Sequence, residues 1–364
     1  MRHDLQYLIA LTKVPLVGAV TAKNLISYCG GAEAVFRATK KQLLAIPNVG
    51  ERLAQNILES DTLTEAEQEL KKLERYEISA HYYLEQHYPQ RLKNYHDCPL
   101  LLFTKGNVAL NATRTVAIVG TRTPTHHGKE FCEQLVETLV PYQVQIISGL
   151  AYGIDITAHK KCVATQTPTI GVLGHGLQRI YPHAHKSIAT QMTNNGGLLT
   201  EYAADVPPDR EHFPMRNRII AGMSDAVIVV ETATEGGSII TANIANEYNK
   251  DVFAVPGRTS DVFSAGCNNL IKQNKAHLIT SAADVAYIMQ WELLDSTKNI
   301  QPKLFEPLSA EEERITNIIR QKQPIGIDAI AFEANKSQSQ LASLLLQLEF
   351  KGIVKSLPGK LYAL

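Results

Sequence analysis

The chain has 364 residues, 45% of them hydrophobic and 20% charged, with 36 Lys plus Arg set against 36 Asp plus Glu. That length holds two or three domains, and the even charge excludes attraction of a polyanion by a basic whole, so any such contact has to come from local clusters. No run approaches the roughly 18 apolar residues of a membrane span.

The start, MRHDLQYLIALTKVP, has an acidic residue and no small-residue cleavage site. The cysteines Cys29, Cys98, Cys132, Cys162 and Cys267 stand singly without a CxxC pair, which suits a reducing compartment. The expectation is a cytoplasmic protein with no membrane partner.

Residues 1–80 read as a helical domain with two similar punctuations, KVPLVGAVTAKNLI at 13–26 and AIPNVGERLAQNIL at 45–58. Each has an apolar residue, a proline, a hairpin ending in Gly18 or Gly50, and an amphipathic helix, the grammar of a helix-hairpin-helix module. Free N–H groups at such hairpins can hold a nucleic-acid phosphate, or the hairpins serve only as tight turns. The acidic Glu51 beside the second favours the turn.

From about 113 short β-branched runs alternate with glycine or polar loops and helical stretches: VAIV, VQII, TIGVL, GGLLT, AVIVV, DVFAV and AHLI. They end near 119, 147, 173, 200, 230, 255 and 279, a spacing that suits one strand plus one crossover helix. Their nearly continuous apolar character predicts strands buried on both faces, hence a doubly wound, mostly parallel α/β sheet across 81–294. Polar, proline-marked residues 295–308 read as a linker. Residues 309–364 then give a helix, a short apolar segment, a second helix and a hairpin turning at Pro358 and Gly359, the outline of a winged helix. Such a module reads DNA or contacts protein, and its second helix carries only Lys336 and Lys351 as positive charges.

Ligands of open parallel sheets bind at the carboxyl ends of the strands, where loops and helix N-termini converge. The loops predicted to share that rim are GTRTPTHHG, SGLAYGIDITAH, GHGLQRIYPHAHK, ETATEGGSIITANIANE and PGRTSDVFSAGCNNLI. Gly149, Gly153, Gly236 and Gly237 permit close backbone approach, and Ser238 and Thr241 add hydroxyls, as a phosphate cradle requires. Neither GxxxxGK[ST] nor GxGxxG is present, which disfavours ATP hydrolysis or a dinucleotide cofactor. Arg122, two residues beyond a strand end, is a natural anion contact unless an acid pairs with it. In HFPMRNRIIAG, Arg216, Asn217 and Arg218 can meet phosphate and base edge or clamp the fold through carboxylates.

Seven of the twelve histidines, His126, His127, His159, His175, His183, His185 and His212, lie between 111 and 220, yet none has metal-site spacing. No metal is expected, and solvated imidazoles near an anionic ligand fit better. Ser148, Asp155 and His159 do not form a nucleophile elbow, and Asp155 reads as a helix cap. Glu201 and Glu231 at strand ends can act as acids or bases, or pair with Arg122 or Arg218. No catalytic residue is assigned.

The order and spacing of AIVGTR, SGLAYGIDITAH, VLGHGLQRIYP, HFPMRNRIIAG, VVETATEGGSIITANIANE and DVFAVPGRTSDVFSAGCNNLI resemble the bacterial DNA-processing DprA (Smf) family across roughly 85–285. The resemblance implies a Rossmann-like domain between a helical SAM-like start and a winged-helix end. It further implies a non-catalytic, dimeric protein, paired through the Rossmann-like domain. Such a protein binds single-stranded DNA and hands it to RecA during natural transformation, displacing single-strand-binding protein. Carried over by position, the Gly-Ser/Thr-Arg motif falls on Gly120, Thr121 and Arg122, and FPxRNR on Phe213 to Arg218. The basic residue after Tyr-Pro falls on Lys186, and the Gly-Ser loop on Gly236, Gly237 and Ser238. Thr125 and Gly149 on the same rim complete the expected DNA-binding set. His127, His185 and Glu235 depart from the family pattern.

The competing class is an enzyme. EGGSIITANIANE is similar to the PGGxGTxxE loop of Rossmann-like nucleoside-monophosphate phosphoribohydrolases, although Glu235 replaces the proline and Glu247 lies too far along. A protein-binding scaffold with no DNA contact is a third reading.

Overall fold

The computed structural model describes residues 2–293, 308–322, 324–351, 353–357 and 361–364. The expected linker lies almost wholly outside them, as do Pro358 and Gly359. Two compact units are formed, Met1–Leu294 and Asp295–Leu364.

Six helices open the first unit: α1 (Arg2–Lys13), α2 (Ala19–Cys29), α3 (Ala32–Arg37), α4 (Lys40–Leu44), α5 (Glu51–Glu59) and α6 (Thr62–Arg75). The two hairpins have one backbone geometry. Leu16 and Asn48 take φ of 71° and 64°, and Gly18 and Gly50 follow as extended N-caps with φ of −87° and −90°. The left-handed turn therefore falls two residues before each glycine. Leu8, Leu11, Leu25, Leu43, Leu53 and Ile57 of this segment share one apolar cluster with Leu101, Phe103 and Leu198 of the sheet. Buried Glu69 of α6 fastens the junction by accepting the Ala204 N–H at 2.6 Å, and Lys72 pairs with Asp205 at 2.5 Å.

All seven expected runs are strands: β3 (Thr115–Val119), β4 (Gln145–Ser148), β5 (Thr169–Val172), β6 (Gly196–Thr200), β7 (Ala226–Val229), β8 (Asp251–Ala254) and β9 (His277–Leu278). They pair in parallel. Two strands escaped the sequence reading. β1 (Ser79–Tyr82) and β2 (Leu101–Gly106) extend the sheet antiparallel beyond β6, giving the order β1-β2-β6-β5-β4-β3-β7-β8-β9. They lack the strand-plus-crossover spacing because an antiparallel edge needs no crossover helix.

Helices α7 (Gln90–Lys93), α8 (His126–Leu139), α9 (Ile154–Ala164), α10 (Lys186–Met192), α11 (His212–Met223), α12 (Gly237–Glu247), α13 (Val262–Lys272) and α14 (Ala282–Ile288) complete the unit. In β3, Val116 and Ile118 pack with Leu135 of α8 and Ala158 of α9. Ala117 and Val119 pack on the opposite face with Ile219 of α11 and Ala242 of α12. Side chains alternate across a strand, so a run covered on both faces is apolar at every position, as this one is. The chain leaves β3 through β4 and β5 to β6 on one side, and continues from β7 to β9 on the other. The crossovers reverse between β3 and β7, and a crevice opens at their carboxyl ends.

The second unit contains α15 (Ala310–Lys322), β10 (Ile325–Gly326), α16 (Ile327–Ala334), α17 (Gln338–Phe350), β11 (Lys355–Leu357) and β12 (Leu361–Ala363). Its sheet runs β10-β12-β11. The short apolar segment between the two expected helices is itself a helix, α16, whose Ile330, Ala331 and Ala334 join the core of the unit.

Candidate nucleic-acid interface

A cleft of about 820 Å³ occupies the crevice. The turn after β3 forms one wall with Gly120, Thr121 and Arg122, while Gly236, Gly237 and Ser238 at the start of α12 form another. Arg216 and Asn217 of α11, with Asp155 of α9, lie between them. Eight of the expected site residues thus share one cavity.

The Arg122 turn is gripped by its backbone. Thr121 N–H donates to the Glu231 carbonyl at 2.6 Å, and Ile154 N–H to the Thr121 carbonyl at 3.2 Å. Gly153, at φ +84°, sits so close that a Cβ would come within 2.1 Å of the Thr121 carbonyl oxygen, so only glycine fits. The Arg122 side chain is exposed, and among the described residues no carboxylate forms an ion pair with it. Its guanidinium carbon lies 5.9 Å from the Phe213 ring centre.

Other polar groups are already engaged. Asn217 Nδ2 donates to the Gly237 carbonyl at 3.1 Å, and Ser238 Oγ donates to Thr232 Oγ1 at 2.7 Å. Both side chains therefore shape the loop before α12, leaving the backbone N–H groups of its first turn as the donors at that wall. Buried Arg216 donates through Nη1 to the Val172 carbonyl, and its Nε has no partner among the described residues. Burial lowers the Arg216 pKa to about 10, while nearby Asp155 acts in the opposite sense. Burial also raises the Asp155 carboxyl, opposed by Arg216 and by backbone donors that include the Ala151 N–H.

Four expected site residues stand apart from the cavity. Arg218, expected to meet phosphate, pairs instead with Glu201, with only 11% and 16% of the two side chains exposed. Gly149 makes room for an arginine: a Cβ there would lie 2.1 Å from Arg216 Nη1. Thr125 caps α8 by accepting the Gly128 N–H at 3.1 Å, and its hydroxyl donates to Glu231 at 2.5 Å. Glu231 also accepts the Thr125 N–H at 2.9 Å, so its partner is a helix start and not Arg122 or Arg218. Lys186 is exposed at the start of α10, outside the cavity.

The expected solvated imidazoles are corrected at three positions. His159 is buried with Nδ1 2.8 Å from Thr169 Oγ1, and burial, with Arg216 and His185 nearby, lowers its pKa to about 3. His175 and His185 are buried against the carbonyls of Gly176 and Leu150. Ser148 Oγ donates to the Ile118 carbonyl at 2.6 Å, and His159 faces Thr169 and not Ser148 or Asp155, so no catalytic relay joins the three. Among the described residues no cluster of His, Cys, Asp or Glu could hold a metal.

Sequence reasoning missed Arg210, Tyr181, Thr232 and Phe263, all of which line the cleft. Arg210 is exposed. Flanking Asp209 and Glu211 hid it as a positive charge, and only its position ahead of HFPMRNR could have marked it.

A family model described as "DNA recombination-mediator protein A" matches residues 79–290. The chain belongs to this DprA/Smf family. A "SAM-like Helix-hairpin-helix tandem" model matches residues 8–60, and a "DprA winged helix domain" model matches 301–360. Protein Smf of Escherichia coli is 35% identical over 75% of this chain and 74% of its own. DNA processing protein DprA of Bacillus subtilis is 42% identical over 54% of this chain and 67% of its own. The crystal structure of Streptococcus pneumoniae DprA aligns with TM-score 0.68 at 32% identity, covering 79% of this chain and 98% of that one. A Helicobacter pylori DNA processing protein A, solved for its single-stranded DNA binding mode, aligns with TM-score 0.54 at 30% identity over 60% of this chain and 98% of that one. As a DprA/Smf chain the molecule is a DNA recombination mediator, and the doubly wound sheet between a helix-hairpin-helix start and a winged-helix end is the fold of that family.

Proposed function

We propose that the cleft between β3 and β7 binds the sugar-phosphate backbone of single-stranded DNA without breaking a covalent bond. The observation that carries this reading is Arg122, an exposed guanidinium with no acidic partner among the described residues, held by a fixed turn at the crossover reversal. Arg210 adds a second exposed cation, and the first turn of α12 adds backbone donors on another wall. In the wider role the protein acts as a homodimer joined through the Rossmann-like domain, in the cytoplasm. It protects incoming strands during natural transformation, displaces single-strand-binding protein and loads RecA. Similarity to the Helicobacter pylori protein supports the ligand, and the family resemblance supports the partners. No metal or cofactor is required.

Titration of fluorescent single- and double-stranded oligonucleotides at two salt concentrations, with light scattering for the oligomer, tests the reading. Tighter binding of the single strand is expected, with affinity falling as salt rises. Release of free base from nucleoside monophosphates would favour the phosphoribohydrolase alternative.

A further inference from the structure

The cleft wall carries an aromatic row that phosphate binding leaves unused. The Arg122 guanidinium lies 5.9 Å from the Phe213 ring centre. The Phe213 and Tyr181 centres are 6.0 Å apart, with ring planes 31° from parallel. Phe213 is flanked by a cation and by a second ring and is only partly exposed. Tyr181 ends the row with 49% of its surface exposed, and it borders the same cavity. The cavity also contains the carboxylates of Asp155 and Glu235, so it is not a uniform trough for phosphates. A ligand with a phosphate at one end and a flat uncharged ring at the other matches this arrangement.

We propose that Tyr181 is a stacking platform for one unpaired nucleobase of a strand whose neighbouring phosphate rests on Arg122. The inference depends on the cleft being a single-strand DNA site and adds what that site reads. Stacking accepts every base through its π face, so the platform tolerates any sequence. In a duplex both faces of an internal base are already covered, so Tyr181 also favours single over double strands.

The test uses the full chain and fluorescence anisotropy with two oligomers of equal length, one of thymidine and one with abasic sugars throughout. The wild type is expected to prefer the thymidine strand. Tyr181→Ala is expected to weaken that strand about tenfold, the order of one lost base stack, and to leave the abasic strand and the salt slope unchanged. Tyr181→Phe should retain the wild-type preference because the ring and not the hydroxyl does the stacking. Equal weakening of both oligomers by Tyr181→Ala, no weakening of either, or failure of Tyr181→Phe to retain the preference overturns the platform. A wild-type chain that binds neither oligomer overturns the single-strand reading itself.

Discussion

At the residue scale, the arginines of the rim divide by environment. Arg122 is exposed and has no acidic partner among the described residues, Arg216 is buried behind Gly149, and Arg218 is locked to Glu201. Only a cation free of acidic partners can exchange its counterions for phosphate at little cost. Arg122→Ala is therefore expected to lose about 1 to 3 kcal/mol of single-strand affinity and to lower the salt slope by about 0.7, as read by gel-shift titration of the folded variant. His159 gives a pH signature of the fold. Its pKa falls from 6.5 to about 3 on burial, so between those values the unfolded state binds a proton that the native state refuses. Stability from this group is complete above 6.5 and is lost as pH falls through the window, at about 1.4 kcal/mol per pH unit. Urea unfolding at pH 6 and pH 4 is expected to show a steeper loss of stability in the wild type than in His159→Gln, the difference between the two being the His159 contribution. Residue types and spacing named the three arginines, but burial and ion pairing told them apart.

At the element scale, α8 is preceded by Thr125, whose side chain both caps the helix and meets the Glu231 carboxylate. A carboxylate at a helix N-terminus is favourable because the free N–H groups and the helix dipole point toward it. Thr125→Ala is expected to cost about 1 kcal/mol of stability in denaturant unfolding, with single-strand affinity unchanged in the folded protein. Loss of affinity without loss of stability would return Thr125 to the DNA contacts. The parallel strands were legible because burial on both faces writes an uninterrupted apolar run, whereas β1 and β2 were not. The four residues of β1 are mostly half-exposed, and β2 ends in partly exposed Lys105 and exposed Gly106. Helix α16 was missed because eight residues give too few turns for a helical period to stand out.

At the scale of the whole molecule, the cleft belongs entirely to Met1–Leu294. Helix α17 carries no Lys or Arg from Gln338 to Phe350, an unusual surface for a helix that grips DNA. A chain ending at residue 293 is expected to hold single-stranded oligonucleotides within about threefold of the full chain, under 1 kcal/mol, by anisotropy. A tenfold loss would instead assign the winged-helix unit a share of the DNA. The amino-acid sequence by itself determined the parallel sheet, its strand ends, the paired hairpins and the motifs gathered on one rim. Each of these depends on neighbours along the chain or on a periodic pattern of burial. Tertiary structure alone decided which of those motifs face the cavity, that Arg218 belongs to Glu201, and that Arg210 and Tyr181 join Arg122. Pairing and exposure are set by residues brought together from distant segments, and spacing along the chain carries no record of them.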